Sequence, residues 1–380
     1  MNKDKSSFLV ILGGITLLVI GNSPATLLPF TVGTLEEGFN LNKQSVGLVV
    51  SIELIAIAIS AIFFGSQISK LNLRITASIG CLIVVVGYFL CSLTDSIEYL
   101  RVIRGVSGVG SGLLIACGHN VLSASNNPER SYAAFILVAS LCGASFVWIA
   151  GIAAEEGGYS LMFTTFGFIF LLLAPLLFFA KKQSLLIEDL ARAATVSAKS
   201  PIVVLMTLGL IFFSLPSGGM WAFNERIGVE IGLLQSVVGK ILSFSLLVGL
   251  LAPILVWFIG DRFGRKKPII VCLILVLCSF IYILTYMNSM AYISGNLIWN
   301  FTYTVTVIFV LAAAAHLSPE GKLASWMNAT ALISQASSPL VFGWIIGNQS
   351  FNNLLPYIIA SILLSIFCIL LTKNKLDETD

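Results

Sequence analysis

The sequence predicts an all-α membrane protein with twelve transmembrane helices in two pseudo-symmetric six-helix bundles. Three observations carry that prediction. Of the 380 residues, 57% are hydrophobic and 10% charged, with a mean hydropathy of +0.98. Soluble domains carry about 25% charged residues, so this chain cannot cover itself with a water-compatible surface. Next, twelve apolar segments reach the roughly twenty residues that a bilayer core demands of a helix: 8–30, 45–67, 75–94, 99–124, 132–153, 159–180, 201–223, 233–259, 268–288, 290–316, 323–347 and 352–372. Finally, the two halves repeat at an offset of 191–192 residues. NKQSVGLVV (42–50) answers to LLQSVVGKI (233–241), FFGSQISKLNLR (63–74) to LVWFIGDRFGRK (255–266), and NNPERSYA (126–133) to LSPEGKLA (317–324). A six-plus-six parallel repeat is the layout of two halves that rock about a central site. The predicted domains are a first bundle over 1–180, a linker over 181–200 and a second bundle over 201–380.

Taken in order, the start MNKDKSSFLVILGGITLLVIG has the charged and apolar regions of a signal peptide. Its apolar run is too long and no A-x-A site follows, so it reads as the first span. Pro24 in that span, beside Asn22, Ser23 and Thr26, predicts a bend. The second span carries Glu53 about eight residues in, at about 1.5 Å per residue; Arg104 in the fourth and Lys240 in the eighth lie at comparable depth. Gly105, Gly108 and Gly112 of the fourth span follow i, i+3, i+7 spacing and predict close helix contact. The seventh span has a second breakable stretch in Ser214, Pro216, Gly218, Gly219 and Trp221. The tenth places Asn296, Trp299, Asn300 and Tyr303 on one face, and the eleventh offers Trp326, Asn328, Ser334, Gln335 and Ser338. These polar residues either line a cavity or pack against neighbouring helices. His119 lies some 60° round from Arg104 at 100° per residue, as a proton relay or a hydrogen-bonded packing residue.

Charge distribution sets the orientation. Sixteen Lys and Arg, from Lys3 to Lys375, fall on one side of the predicted spans, against Lys43, Arg226 and Arg101 on the other. The positive-inside rule puts both termini and the central linker in the cytoplasm, with an even number of spans. A net charge of +3 is too small to suggest a nucleic-acid partner. The seven cysteines sit in apolar runs without CxxC spacing, which argues against a metal site or a disulfide framework.

Glu53, Arg104 and Lys240 thus form one layer of ionisable groups within the membrane, where charges are costly and normally face a partner or a wet cavity. Burial raises a carboxyl's proton affinity and a neighbouring guanidinium lowers it, so Glu53 is the preferred proton carrier. The alternative is a permanent structural pair with Arg104. Lys240 either attracts an anionic group or reaches the outer interface.

The charged turn WFIGDRFGRKK (257–267) belongs to a pattern, G-x-x-x-D-[RK]-x-G-[RK]-[RK]. Trp257, Asp261, Arg262, Gly264, Arg265 and Lys266 satisfy it except at the first Gly. Its partner in the first half, Gly65, Ser69, Lys70, Asn72, Leu73 and Arg74, keeps the Gly and loses the Asp. The fourth span adds R-x-x-x-G-x-G as Arg104, Gly108 and Gly110. On these marks the chain resembles the major facilitator superfamily of secondary transporters over its full length. The resemblance implies cytoplasmic gating at the two loops, a proton-coupling or substrate role for Arg104, a monomer working by alternating access, and no cofactor. A G-P dipeptide typical of antiporters is missing from the fifth span, LVASLCGASFVWIAGIAAEEGG. The expected partners are a small organic solute, protons and the lipid bilayer, and the expected location is the bacterial inner membrane. Efflux is the preferred direction; uptake of an organic anion through Arg104 and Lys240, or a non-transporting receptor, are the alternatives. No Walker sequence, paired carboxylate set or HExxH supports an ATPase or an intramembrane enzyme. Because only the second loop keeps its acid, Asp261→Asn is expected to cut solute flux in proteoliposomes far more than Ser69→Ala.

Overall fold

The computed structural model describes residues 3–125, 127–180, 200–260, 262–317, 322–347 and 349–372. They are almost wholly helical, and the chain divides into two compact units, Met1–Ile187 and Glu188–Asp380. All but one residue of the predicted linker 181–200 lies outside the described residues. The first unit contains α1 (Lys3–Thr26), α2 (Leu28–Gly38), α3 (Lys43–Gln67), α4 (Leu73–Leu93), α5 (Ile97–Ser123) and α6 (Pro128–Leu173). The second contains α7 (Pro201–Ala222), α8 (Asn224–Glu230), α9 (Gln235–Gly249), α10 (Ala252–Ile259), α11 (Lys266–Tyr286), α12 (Ser289–Leu317), α13 (Lys322–Ile346) and α14 (Leu354–Leu371).

Eleven helical stretches among the described residues are long and apolar enough to span a bilayer, and one of them, Arg130–Phe179, is 50 residues long. At 1.5 Å per residue it is about twice what a 30 Å core accepts. It is two spans, broken where Gly157 (φ −152°, ψ 17°) and Gly158 (φ +59°, ψ −148°) leave helical geometry. Gly158 adopts a backbone that only glycine enters without strain. With that break the spans number twelve, as the sequence predicts.

Backbone satisfaction shapes the helices. With no water in the hydrocarbon, each freed carbonyl needs a partner, and a proline frees the carbonyl four residues before it. Among the described residues three prolines lie beyond the first turn of a helix: Pro24, Pro216 and Pro339. Each freed carbonyl accepts a serine hydroxyl: Ile20 from Ser23 (2.7 Å), Phe212 from Ser361 of α14 (2.8 Å) and Gln335 from Ser338 (2.7 Å). α1 runs through Pro24 to Thr26, and Leu27 (φ −82°, ψ −1°) alone separates it from α2, whose second residue is Pro29. The seventh span likewise passes Pro216 and breaks at Phe223. The eighth span, expected as one helix over 233–259, is interrupted at Leu250 and Leu251 before Pro253.

In the first unit α5 is central, packed on α1, α3 and α4. A methyl at Gly108 would stand 2.5 Å from the Glu53 carbonyl oxygen, and one at Gly112 would stand 2.6 Å from Ser60 Cβ. The α3–α5 contact therefore brings backbones together, and Ser60 Oγ donates across it to the Val109 carbonyl (2.8 Å). Asn42 and Asn72 cap the starts of α3 and α4. Ser361→Ala is expected to strand the Phe212 carbonyl and cost about 1–3 kcal/mol, read as a lower melting temperature in detergent. Ser294→Ala, at an exposed hydroxyl bonded within its own helix, should change little.

Candidate functional site

The strongest candidate site lies inside the first unit, where α3 delivers a carboxylate and α5 a guanidinium. Arg104 (0% exposed) donates through Nη2 to Oε2 of Glu53 (1% exposed). The close α3–α5 approach at Gly108, one turn beyond Arg104, seats the two side chains against each other. Gly105 and Gly112 also face α3, whereas Gly110 faces α4 at Gly80 and Ile83. One hydrogen bond does not exhaust the pair. By strict geometry Glu53 Oε1 and Arg104 Nε and Nη1 are buried without a hydrogen-bond partner, as are the hydroxyls of Ser107 and Ser111, while the Tyr88 hydroxyl faces both Arg104 and Ser23. Arg104, Ser107 and Ser111 share one face of α5, within about 60° of arc. The guanidinium carbon lies 5.5 Å from the Tyr88 ring centre and 5.1 Å from that of Phe163. A charge so placed has a counter-ion on one helix and ring faces on two others.

The other sequence candidates fall in several places. Lys240 belongs to the second unit and is exposed on α9. Asn22 and Thr26 are half-buried and bond to carbonyls of their own helix, Leu18 (2.8 Å) and Asn22 (3.3 Å). His119 Nδ1 lies 3.1 Å from the Tyr132 hydroxyl, with the two rings stacked. In the second unit Asn296 is fully buried and accepts from Asn224 (2.6 Å), while Asn300 donates to Ser245 Oγ (3.0 Å). Gln335 donates to the Tyr303 hydroxyl (3.0 Å), and that ring stacks on Phe213. Trp221 meets Trp299 at 6.3 Å, and Asn328 is exposed.

Asp261 lies outside the described residues. Around it Gly264 takes φ +68°, Arg262 is exposed, Arg265 precedes α11, and Lys266 donates to the Leu370 carbonyl at the end of α14 (2.9 Å). A cation there complements the helix C-terminus. In the first-half loop Lys70 and Arg74 are exposed, and space beside Gly65 is open, so packing places no demand for glycine there.

Arg226, which falls between the predicted seventh and eighth spans, is buried in α8 against its neighbour Glu225. Its Nε and Nη2 each approach a carboxylate oxygen at 2.6 Å, and Gln235 donates to the same carboxylate at 2.9 Å. Bidentate pairing supplies in the interior what water would supply in a loop. The turn comes only after this pair, at Gly232 with φ +93°. Tyr88 and Phe163 carry no sequence signal, since nothing in an oily sequence distinguishes two rings that will meet an arginine.

Removing one partner of a buried pair costs about 3–5 kcal/mol, but the two partners are not equivalent. A stranded carboxylate can take up a proton; a stranded guanidinium keeps its charge. Glu53→Leu is therefore expected to destabilise the protein more than Arg104→Leu, with the double substitution recovering much of the loss. Denaturant unfolding in detergent measures all three.

Comparisons with known proteins agree with this architecture. The chain is 22% identical over 170 residues to the multidrug efflux pump SdrM of Staphylococcus aureus (strain N315), covering 45% of this chain and 37% of that one. To the riboflavin transporter RibZ of Clostridioides difficile (strain 630) it is 25% identical over 133 residues, covering 34% and 29%. It thus spans about a third of the length of these curated relatives. Among solved structures, the nucleoside transporter NupG matches with TM-score 0.79 at 10% identity, covering 96% of this chain and 99% of that one. A bacterial homologue of the human lysosomal transporter Spinster, inward-facing and unoccupied, matches with TM-score 0.74 at 12% identity, with both chains fully covered. At such identities the likeness is one of fold. The family model of the Major Facilitator Superfamily matches residues 11–325, and with the twelve spans and the signature loops this places the chain in that superfamily.

Proposed function

We propose that the chain is a proton-coupled secondary transporter that exports a small organic solute by alternating access of its two halves, with Glu53 as the proton carrier and Arg104 as its counter-charge. The carrying observation is the pair itself. It is a buried carboxylate joined by one hydrogen bond to a guanidinium on another helix, with polar atoms of both left over. When Glu53 takes up a proton its charge is lost, the attraction to Arg104 collapses, and α3 is freed to move against α5. Loss of the proton restores the pair. A reversible bond between two helices, switched by one proton, is what alternating access requires of a coupling site. Efflux takes its support from the name of the SdrM relative, and a solute of organic character from both relatives. The positive-inside asymmetry supports cytoplasmic termini, with the loops at 65–74 and 257–267 on that side. This reading assigns transport and no catalysis.

Uptake of an organic anion is the second reading, favoured by the two Arg104 N–H positions that have no acceptor. Flux in proteoliposomes, with and without a pH gradient and over a panel of cationic, neutral and anionic solutes, separates the two. The expected result is gradient-driven export of a non-anionic solute that Glu53→Gln reduces to the gradient-free level, while solute exchange at equal pH persists. Gradient-driven flux unchanged in Glu53→Gln removes the proton-carrier assignment, and inward accumulation of an anion installs the second reading.

A further inference from the structure

Arg104 has two sets of neighbours of different kinds, on different helices. Glu53 on α3 supplies the counter-charge. The faces supplied by Tyr88 of α4 and Phe163 of α6 supply a second, uncharged environment at 5.5 and 5.1 Å. Those rings are locked. Tyr88 meets Phe163 edge-on at 5.5 Å and Phe170 at 5.0 Å, and Phe170 packs on Phe146 and Phe166. Tyr88 and Phe163 are 1% and 0% exposed, and neither belongs to α3.

We propose that Tyr88 and Phe163 are positioning residues: they hold Arg104 in place as a charged group while Glu53 is protonated, and so set the proton concentration at which the pair opens. This rests on Glu53 as the proton carrier. The argument is a balance of charge. A guanidinium cannot give up its proton in a protein, so protonating Glu53 leaves a bare cation in a site without bulk water. Ring faces attract a cation through their quadrupole, more strongly when it is desolvated. While Glu53 is ionised, its nearby negative charge offsets much of that attraction; once Glu53 is neutral the rings act on the full charge. They therefore favour the protonated state over the paired one. The groups facing Arg104 are Glu53 from α3, Tyr88 and Cys91 from α4, and the Phe163 ring from α6, with Ser23 of α1 beyond the Tyr88 hydroxyl. Among them only Glu53 carries an opposite charge near neutral pH.

The test reads Glu53 directly, apart from transport. The full-length protein in lipid is titrated by infrared difference spectroscopy, with the Glu53 carboxyl band identified by its loss in Glu53→Gln. Tyr88→Leu and Phe163→Leu keep an apolar side chain and remove a ring. Each is expected to need roughly tenfold more protons for half-protonation of Glu53, one pH unit, from the loss of one desolvated cation–π contact. Tyr88→Phe, which keeps the ring and loses only the hydroxyl that faces Arg104 and Ser23, should titrate nearer the wild type than Tyr88→Leu does. A purely structural role would lower stability in both Leu variants and leave the titration where it was; that result overturns the proposal, as does a Glu53 band that never titrates. Solute flux measured alongside separates the two readings. A ring-dependent titration with flux indifferent to a pH gradient supports the cage and removes proton-coupled transport.

Discussion

A guanidinium in a membrane interior cannot shed its charge, and the first unit is organised around that constraint. Arg104 is fully buried on the helix that packs against α1, α3 and α4. An uncompensated charge there would cost more than most single interactions contribute. Its surroundings each answer part of the demand. Glycine at 108 lets α3 come close enough for Glu53 to reach it, and α4 and α6 bring rings rather than aliphatic side chains to its flanks. The glycines of α5 serve the charge as much as they serve packing: a bulkier residue at 108 would push away the helix that carries the counter-ion.

The second unit shows what the same scaffold looks like when that demand is lifted. Residues 192 positions further along correspond by the repeat: Pro216 to Pro24, Ser245 to Glu53, Phe280 to Tyr88 and Asn296 to Arg104. Proline and ring are kept while the charges become neutral. Asn296 bonds to Asn224, and Ser245 receives Asn300. An amide ladder satisfies its members by hydrogen bonds alone, so the positions that answer to Glu53 and Arg104 hold no ionisable group there; the buried charges of that unit, Glu225 and Arg226, lie instead on α8. If the pair couples protons, coupling is a property of one half, and the other half is free to differ in what it contacts.

Much of this was legible in the sequence because the bilayer imposes simple rules. Apolar length gave the twelve spans, and glycines 157 and 158 mark where a 50-residue helix must turn back. Glu53 and Arg104 stood out as rare charges in oily segments. What escaped reading depended on partners. Hydropathy counts Glu225 and Arg226 as two expensive residues, although side by side they make one nearly neutral, hydrogen-bonded unit that can be buried. The serine before Pro24 donates to the carbonyl that the proline frees, and the Ser-Pro dipeptide at 338–339 does the same, so this device is readable. The ring cage was invisible because a chain with 26 Phe and 9 Tyr offers too many rings to single out two.

The two buried ion pairs differ in a way that assigns them different work. Glu225 and Arg226 are adjacent on one short helix, joined through both carboxylate oxygens and backed by Gln235. Separating them would require unwinding α8 and would strand several strong, charge-assisted bonds at once. That pair is a fixture of α8. Glu53 and Arg104 come from helices 51 residues apart in sequence and share one hydrogen bond, with three of their polar atoms left unbonded. A shift of α3 relative to α5 breaks that contact without unfolding either helix. A pair of this geometry can part without unwinding a helix, which is the property a coupling site needs if Glu53 and Arg104 serve as one.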